Sequence, residues 1–516
     1  MKSFYFVIVL SCLLTSCIND LLDKTPLDKL STESFYEDES QAMMGLIGVY
    51  SSLIPTHNSL PWYQFEFMSD NTSSMDWTGS QAFSSWNQTA STVTTVEKWK
   101  QNYKLIVRAN TFLKSIENIE MSSDSVKRQM QGEARFLRAF MYADLIHFYG
   151  DVPLILEEQT LDNAKVARTP KEKVLEEILK DYDYAIENLP KKYPTDNIGR
   201  ATKGAALAYK TKVLLYNEKW EEAASVAFQL IDLNMYKLFN DYEGLFEEEN
   251  ENNSEVIFDI QYMKDLSAQP WPSSCLVFTS WPCGCPTLSM VDSYYMKNGL
   301  PITDPLSGYN EQDPFVNRDP RMEASIGLPG YMYGTSILIP NDLTRAEGVT
   351  GLKMKKYSDI FNSNKENSGL NTILMRYADV LLMRAEALIE AGNTGQEVYD
   401  LINQVRARVN MPKIEDVEGI GLSQDELRNI LRHERRVEFF GEGTRYSDLL
   451  RWKDKNAFHD TYGYNLSKLS DPSDPSKWIF ERVKVMERTY AERGWLWPIP
   501  QEELQNNENL NQNPYY

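Results

Sequence analysis

Four histidines, five cysteines and 74 acidic side chains are what this 516-residue chain offers for catalysis or metal binding. His57, His147, His433 and His459 are scattered with no metal-ligand spacing. Cys275, Cys283 and Cys285 lie within a short stretch, but a tetrahedral zinc site needs a fourth ligand and no histidine is near. That leaves a local disulfide from Cys275, or plain buried thiols. The acidic run Glu247 to Glu251 lacks the turn glycine of a calcium loop and reads as solvated. No nucleophile elbow, phosphate loop, dinucleotide fingerprint or zinc-protease helix occurs. Among 74 acids some pair at glycosidase separation arises by chance, so acid content says nothing about hydrolysis. The residues imply no catalytic centre, no metal and no cofactor.

Aromatic side chains in irregular sequence offer another chemistry. Pyranose rings present apolar C–H faces that stack on aromatic planes, while their hydroxyls need Asp, Asn, Gln or Arg at the edges. One loop-rich stretch, 55–97, holds Trp62, Tyr63, Trp77, Trp86 and Asn87, with Asp70, Asn71 and Asp76 among them. A second, 245–375, holds Trp271, Trp281, Tyr294, Tyr295 and Tyr331. Long irregular segments in a compact protein are usually functional surfaces on a rigid scaffold. The competing role for each ring is to pin its own loop.

Helices must supply that scaffold. Thr169-Pro170 with Glu172 reads as a capping box, and Leu175, Ile178, Leu179, Tyr182, Ala185, Ile186 and Leu189 follow at helical spacing up to Pro190. Trp220, Ala223, Ala224, Ala227 and Ile231 mark another apolar face, and Ala378, Leu381, Leu382, Ala385, Leu388 and Ile389 a third, stopped by Gly392-Asn393. Thr394 with Glu397, and Ser423 with Glu426, make further capping boxes. Paired helices with alanines at their contacts predict tetratricopeptide-like hairpins. Only short runs such as Val256 to Tyr262 read as strands. The predicted fold class is mostly α, with a loop-rich subdomain containing short strands.

Composition narrows the setting. Hydrophobic content of 42% with 25% charged residues excludes wholesale disorder. The net charge of −21, with no Lys/Arg cluster along the sequence to offset it, argues against nucleic acid as a partner. No run of 18 apolar residues occurs, so no predicted helix crosses a membrane. Lys2 followed by the apolar run Phe4 to Leu14 has the length of a secretory core. Leu14-Thr15-Ser16-Cys17 then resembles a bacterial lipobox, whose cysteine is lipidated after cleavage; acyl chains anchor a protein without any spanning segment. Residues 1–16 are thus expected to be a signal peptide.

Several motifs carry a family likeness. Gly132-Glu-Ala-Arg-Phe-Leu-Arg-Ala139, continuing to Phe148-Tyr-Gly-Asp-Val-Pro153, resembles a helix and turn of the SusD/RagB family, nutrient-binding lipoproteins of the Bacteroidetes surface. Arg318 to Arg321, Arg376 to Asn393, Leu401 to Val409, Glu434 to Trp452, and the ending Trp497 to Pro500 through Asn511 to Pro514 match in the expected order. The resemblance implies an N-terminal region 17–235 and a second region 245–516, irregular over 245–375 and helical over 376–455. It further implies that the two loop-rich stretches meet in one ligand-facing surface, with Trp62, Asp70, Asn71, Trp77, Trp86, Asn87, Trp271, Trp281, Tyr294 and Tyr331 as candidate contacts. The implied role is to bind oligosaccharide, or alternatively peptide, at the outer membrane. The ligand would pass without chemistry to a SusC-like TonB-dependent transporter. A surface glycoside hydrolase and a lid that binds nothing are the rival readings. Glu434, on the stripe behind Leu427, Ile430 and Leu431, is expected to be buried and paired with Arg376, Arg384, Arg406 or Arg445; Glu133, Arg135 and Arg138 are expected to join helices.

Overall fold

The computed structural model describes residues 35–54, 62, 64–73, 80–160, 163–266, 284–339, 349–358, 367–469, 471 and 474–516. Helices form the scaffold. In the N-terminal half these are α1 (Glu39–Tyr50), α2 (Gln64–Phe67), α3 (Ser80–Ser84), α4 (Val93–Ser115), α5 (Asp124–Tyr149), α6 (Lys171–Asn188), α7 (Lys203–Tyr216) and α8 (Trp220–Asp232). α4 packs on α5, α5 on α6, α6 on α7 and α7 on α8 in succession. Alanines 205, 206, 208, 223, 224 and 227 are buried at these contacts and let the backbones approach closely.

α8 packs on the C-terminal helices, which are α9 (Leu288–Ser293), α10 (Pro320–Ser325), α11 (Tyr377–Glu390), α12 (Gln396–Arg408), α13 (Ile414–Val417), α14 (Gln424–Glu438), α15 (Arg445–Trp452) and α16 (Gln501–Asn506). α11 is the hub, touching α8, α12 and α14. One hydrophobic core therefore runs through both halves, from Leu46 and Phe136 to Leu382, Leu431 and Trp497. Among the described residues no helix is long and apolar enough to cross a membrane.

Strands are short and come in pairs. β1 (Thr72–Ser73) pairs with β5 (Cys285–Pro286), β2 (Val152–Pro153) with β3 (Arg168–Thr169), and β4 (Val256–Ile260) with β6 (Thr372–Arg376), all antiparallel. A second core of Phe67, Tyr242, Leu288, Tyr294, Met322 and Leu352 lies under the irregular middle.

Local caps follow sequence only where tertiary contacts leave them free. Ser423 and Glu426 form the expected reciprocal capping box on α14. Thr169 instead lies in β3 opposite Val152, so α6 starts at Lys171, whose N–H donates to Asp151 Oδ1 at 2.9 Å. Gly395 rather than Thr394 caps α12, because Glu397 is drawn away to the Arg384 guanidinium.

Trp86 shows how a loop ring is used. It sits at a φ of 56° and is 2% exposed, with Phe458, Tyr490 and Trp495 edge-on at 4.6, 5.0 and 4.9 Å. A β-carbon on Gly494 would lie inside its ring. Gly494→Ala should therefore destabilise by about 3 kcal/mol or more, the upper range for overpacking. A urea midpoint unchanged from wild type would show that this aromatic cage can open.

Candidate functional site

The two loop-rich stretches meet. Thr72 pairs with Pro286 and Ser73 with Cys285. The Thr287 N–H donates to Asn71 O at 2.8 Å, and its hydroxyl to Asp70 O at 2.9 Å. Gly284, at a φ of 64°, enters this seam against Phe67, where any β-carbon would overlap the ring.

Short strands cannot hold such a seam alone, and arginines do the rest. Arg445 grips Asp70 through Nε and Nη2 at 2.9 and 3.0 Å. Arg436 reaches Asp70 at 3.0 Å, Asn71 Oδ1 at 2.8 Å and Ser289 Oγ at 3.0 Å. Arg488 donates to the carbonyls of Ser69 and Thr72 at 3.0 and 2.6 Å. Burial alone would raise the Asp70 carboxyl, but Arg436 and Arg445 outweigh it and hold the group below the usual carboxylate range. Glu66 accepts from Asn71 Nδ2 at 2.7 Å and from the Gly443 N–H at 3.0 Å. Among the described residues no cation is bonded to it, and burial wins over those donors and pushes its pKa up to about 7.

Several expected ligand contacts prove to be parts of this framework. Asp70 and Asn71 are buried in the arginine lattice, and Tyr294 is fully buried in the second core. With Trp86 they present no side chain to a ligand; the rings and carboxylates that close long loops are here consumed by closing them. Trp62 is half-buried, stacked on Phe140 at 5.4 Å beneath the Lys98 ammonium at 4.4 Å. Tyr331 is half-buried, edge-on to Phe315 at 6.1 Å, and Tyr295 stacks on His433 at 3.9 Å. Asn87 is exposed. Trp77, Trp271 and Trp281, with Tyr63, Asp76, Cys275, Cys283 and the lipobox Cys17, lie outside the described residues. Cys285 is a free buried thiol, its pKa pushed up to about 11 by burial. The acidic run near Glu251 is only partly solvated: Glu251 accepts from the Asn371 N–H at 2.6 Å, and burial raises it to about 7.

Glu434 is fully buried, as its helical position requires, but its main partner is Arg321 at 2.6 Å, with Arg406 at 3.4 Å. The other proposed partners are taken elsewhere: Arg376 by Glu255, Glu438 and Glu442, Arg384 by Glu397, Arg445 by Asp70. Glu133 holds Arg200 and the Tyr50 hydroxyl, while Arg135 and Arg138 both hold Asp181, so that set does join helices. Arg436, Arg445 and Arg488 organise the seam, yet none of them is a candidate contact by residue type or motif. Arg436 sits on the helix of the Leu427–Leu431 stripe, but Arg445 opens a helix and Arg488 lies in a loop, so neither has a local signal.

The seam is thus two irregular segments clamped by arginines onto a helical scaffold. The sequence model described as the SusD family matches residues 254–516, and one described as starch-binding associating with outer membrane matches residues 20–215. The chain belongs to the SusD family. Two SusD-like proteins of Formosa agariphila are 25% identical over 483 residues, covering 87% of this chain and 89% of the relative, and 29% identical over 474 residues, covering 87% and 91%. A SusD-like carbohydrate binding protein from Bacteroides fragilis superposes with a TM-score of 0.82 at 27% identity, covering 93% of this chain and all of that one (100%). A laminarin binding SusD-like protein shares the fold at a TM-score of 0.70 and 24% identity, covering 93% and 100%.

Glu66 sets a pH dependence of stability. Its folded pKa of about 7 lies above the ordinary 4.5, so its contribution is fully present below pH 4.5 and lost as pH rises through 7. Between pH 5 and 8 the wild type should lose on the order of 3 kcal/mol more than Glu66→Gln. Parallel declines of the two proteins in urea titrations at both pH values would show that Glu66 does not titrate in this window.

Proposed function

We propose that this protein binds oligosaccharide at the bacterial outer membrane and passes it, chemically unchanged, to a SusC-like TonB-dependent transporter. The reading rests on family membership, on the carbohydrate-binding relative that shares this fold, and on one structural observation. That observation is the β1–β5 seam, which joins the two segments where loop tryptophans concentrate. Trp77 lies four residues beyond Ser73, and Trp281 four residues before Cys285. Indoles this near in sequence to both strands of the seam suit a sugar ring, which needs aromatic planes more than charge. The remaining candidate contacts are Trp271, Asn87 and Tyr331, with Trp62 at the margin.

The test is calorimetry of residues 18–516 against a panel of neutral glycans and peptides, followed by Trp77→Ala, Trp271→Ala and Trp281→Ala. Loss of one stacked ring should weaken glycan binding up to about tenfold, with glycan composition unchanged after incubation. Three variants that bind like wild type would move the site elsewhere; a peptide-only response would select the peptide reading; released product would select the hydrolase.

Anchoring through an acylated Cys17 is the second part of the proposal. The cysteine precedes the described helices in sequence, so Cys17→Ala should release a folded, unlipidated protein from the membrane fraction. Retention of that variant on outer membrane after a high-salt wash, in cells lacking the transporter, would overturn the anchor.

A further inference from the structure

A cleft of about 610 Å³ opens where α14 and α15 meet, lined by Arg432, Arg436, Arg445, Trp452, Lys453 and Lys455. Asp454 is the one carboxylate among its lining residues. This local excess of positive charge stands out on a chain of net charge −21. It arises because the acids of the same segment face the other way. Glu434, Glu438, Glu442 and Asp448 are all consumed by buried partners, leaving bases on the cleft side.

The charges in the cleft are not balanced. Arg436 and Arg445 share the single carboxylate of Asp70. Lys455 is paired with Glu492, and Asp454 accepts from the Asn456 N–H at 3.1 Å. Among the described residues, neither Arg432 nor Lys453 has an acid within ion-pair distance or a side-chain hydrogen bond. Arg432 Nε is moreover buried without any acceptor, a costly state for a guanidinium. Its plane is held over Trp452 at 4.6 Å. Arg451 lies over the same indole, also at 4.6 Å, and Glu386 accepts from Trp452 Nε1 at 2.7 Å. The guanidinium is thus positioned before any ligand arrives. His433, also on the lining, is driven down to about 4 by burial and is neutral at physiological pH.

We propose that this cleft is an oxyanion site, which takes a sulfate or carboxylate group of a small ligand on Arg432 and Lys453, beside the Arg436 and Arg445 that clamp the seam. A guanidinium fork matches the planar or trigonal oxygens of such groups, and charge-assisted bonds of this kind are about twice as strong as neutral ones.

The experiment is calorimetry of the full mature chain at low ionic strength with inorganic sulfate, glucose 6-sulfate and glucose. Wild type should bind both sulfates saturably and glucose not at all. Arg432→Gln should weaken both by about tenfold or more, and Lys453→Asn by several-fold. Lys453 is exposed at a φ of 51°, which asparagine tolerates, so that variant keeps the test valid should Arg432→Gln fold poorly. Lys219→Gln, a surface change outside the cleft lining, should behave as wild type. Tighter binding of glucose 6-sulfate than of sulfate would mark the ligand as an acidic sugar; equal binding would mark a free anion. No saturable binding of either sulfate, equal binding of glucose, undiminished binding by Lys453→Asn, or a response only to acidic peptides would overturn the proposal.

Discussion

The carboxylate of Glu438 is the point on which the C-terminal half is hung. It is fully buried at the end of α14 and receives Arg321, Arg376 and Arg408 from three separate segments. Its main-chain carbonyl accepts in addition from the Tyr242 hydroxyl, the Arg376 guanidinium and the Lys356 ammonium. Burial would raise its pKa, but Arg408, Arg376 and Arg321 outweigh that and hold it far below the ordinary value. The group therefore stays ionised at any pH the cell meets. A buried charge tolerates no loose partner, because an unpaired one is costly. The segments bearing those arginines, α10, the end of β6 and α12, are thereby fixed relative to α14 and to each other.

The same economy explains the irregular regions. Loops lack a ladder of main-chain hydrogen bonds, yet their buried carbonyls must still be paired. Here arginine forks do the pairing. Arg318 donates to the carbonyls of Val291, Tyr294 and Pro314, as Arg488 does to those of Ser69 and Thr72. A guanidinium can satisfy several acceptors from one stem, which a lysine at the same place could not do in a fixed geometry. The functional face can then be built from segments with little secondary structure and still be held in register against the helices.

Turning acids inward has an outward consequence. A segment such as 432–455 has nearly balanced charge when read linearly, and no basic cluster stands out in it. Once Glu434, Glu438 and Asp448 are sequestered with inward arginines, the residues left at the surface are mostly basic. Electrostatic character is thus a property of faces, not of composition.

Periodicity and capping signals mark α6, α8, α11, α12 and α14 and the strand near Val256, because a helix buries one stripe and sequence records that stripe directly. The family motifs made the architecture legible end to end, and the burial of Glu434 followed from its helical spacing. What the sequence left open depends on partners distant along the chain. The caps at Thr169 and Thr394 failed because Asp151 and Arg384, brought in by packing, offered stronger alternatives. Glu434 chose Arg321, which no local spacing connects to it. Trp86 became a core residue because the chain near Gly494 and Phe458 folds back over it. The meeting of residue 73 with residue 285 is likewise a long-range contact with a single pair of two-residue strands as its local expression. Stripes, turns and capping signals lie within a few residues and are written in sequence. Pairing of buried charges and closure of long loops minimise free energy over the whole chain, and only the tertiary structure decides them.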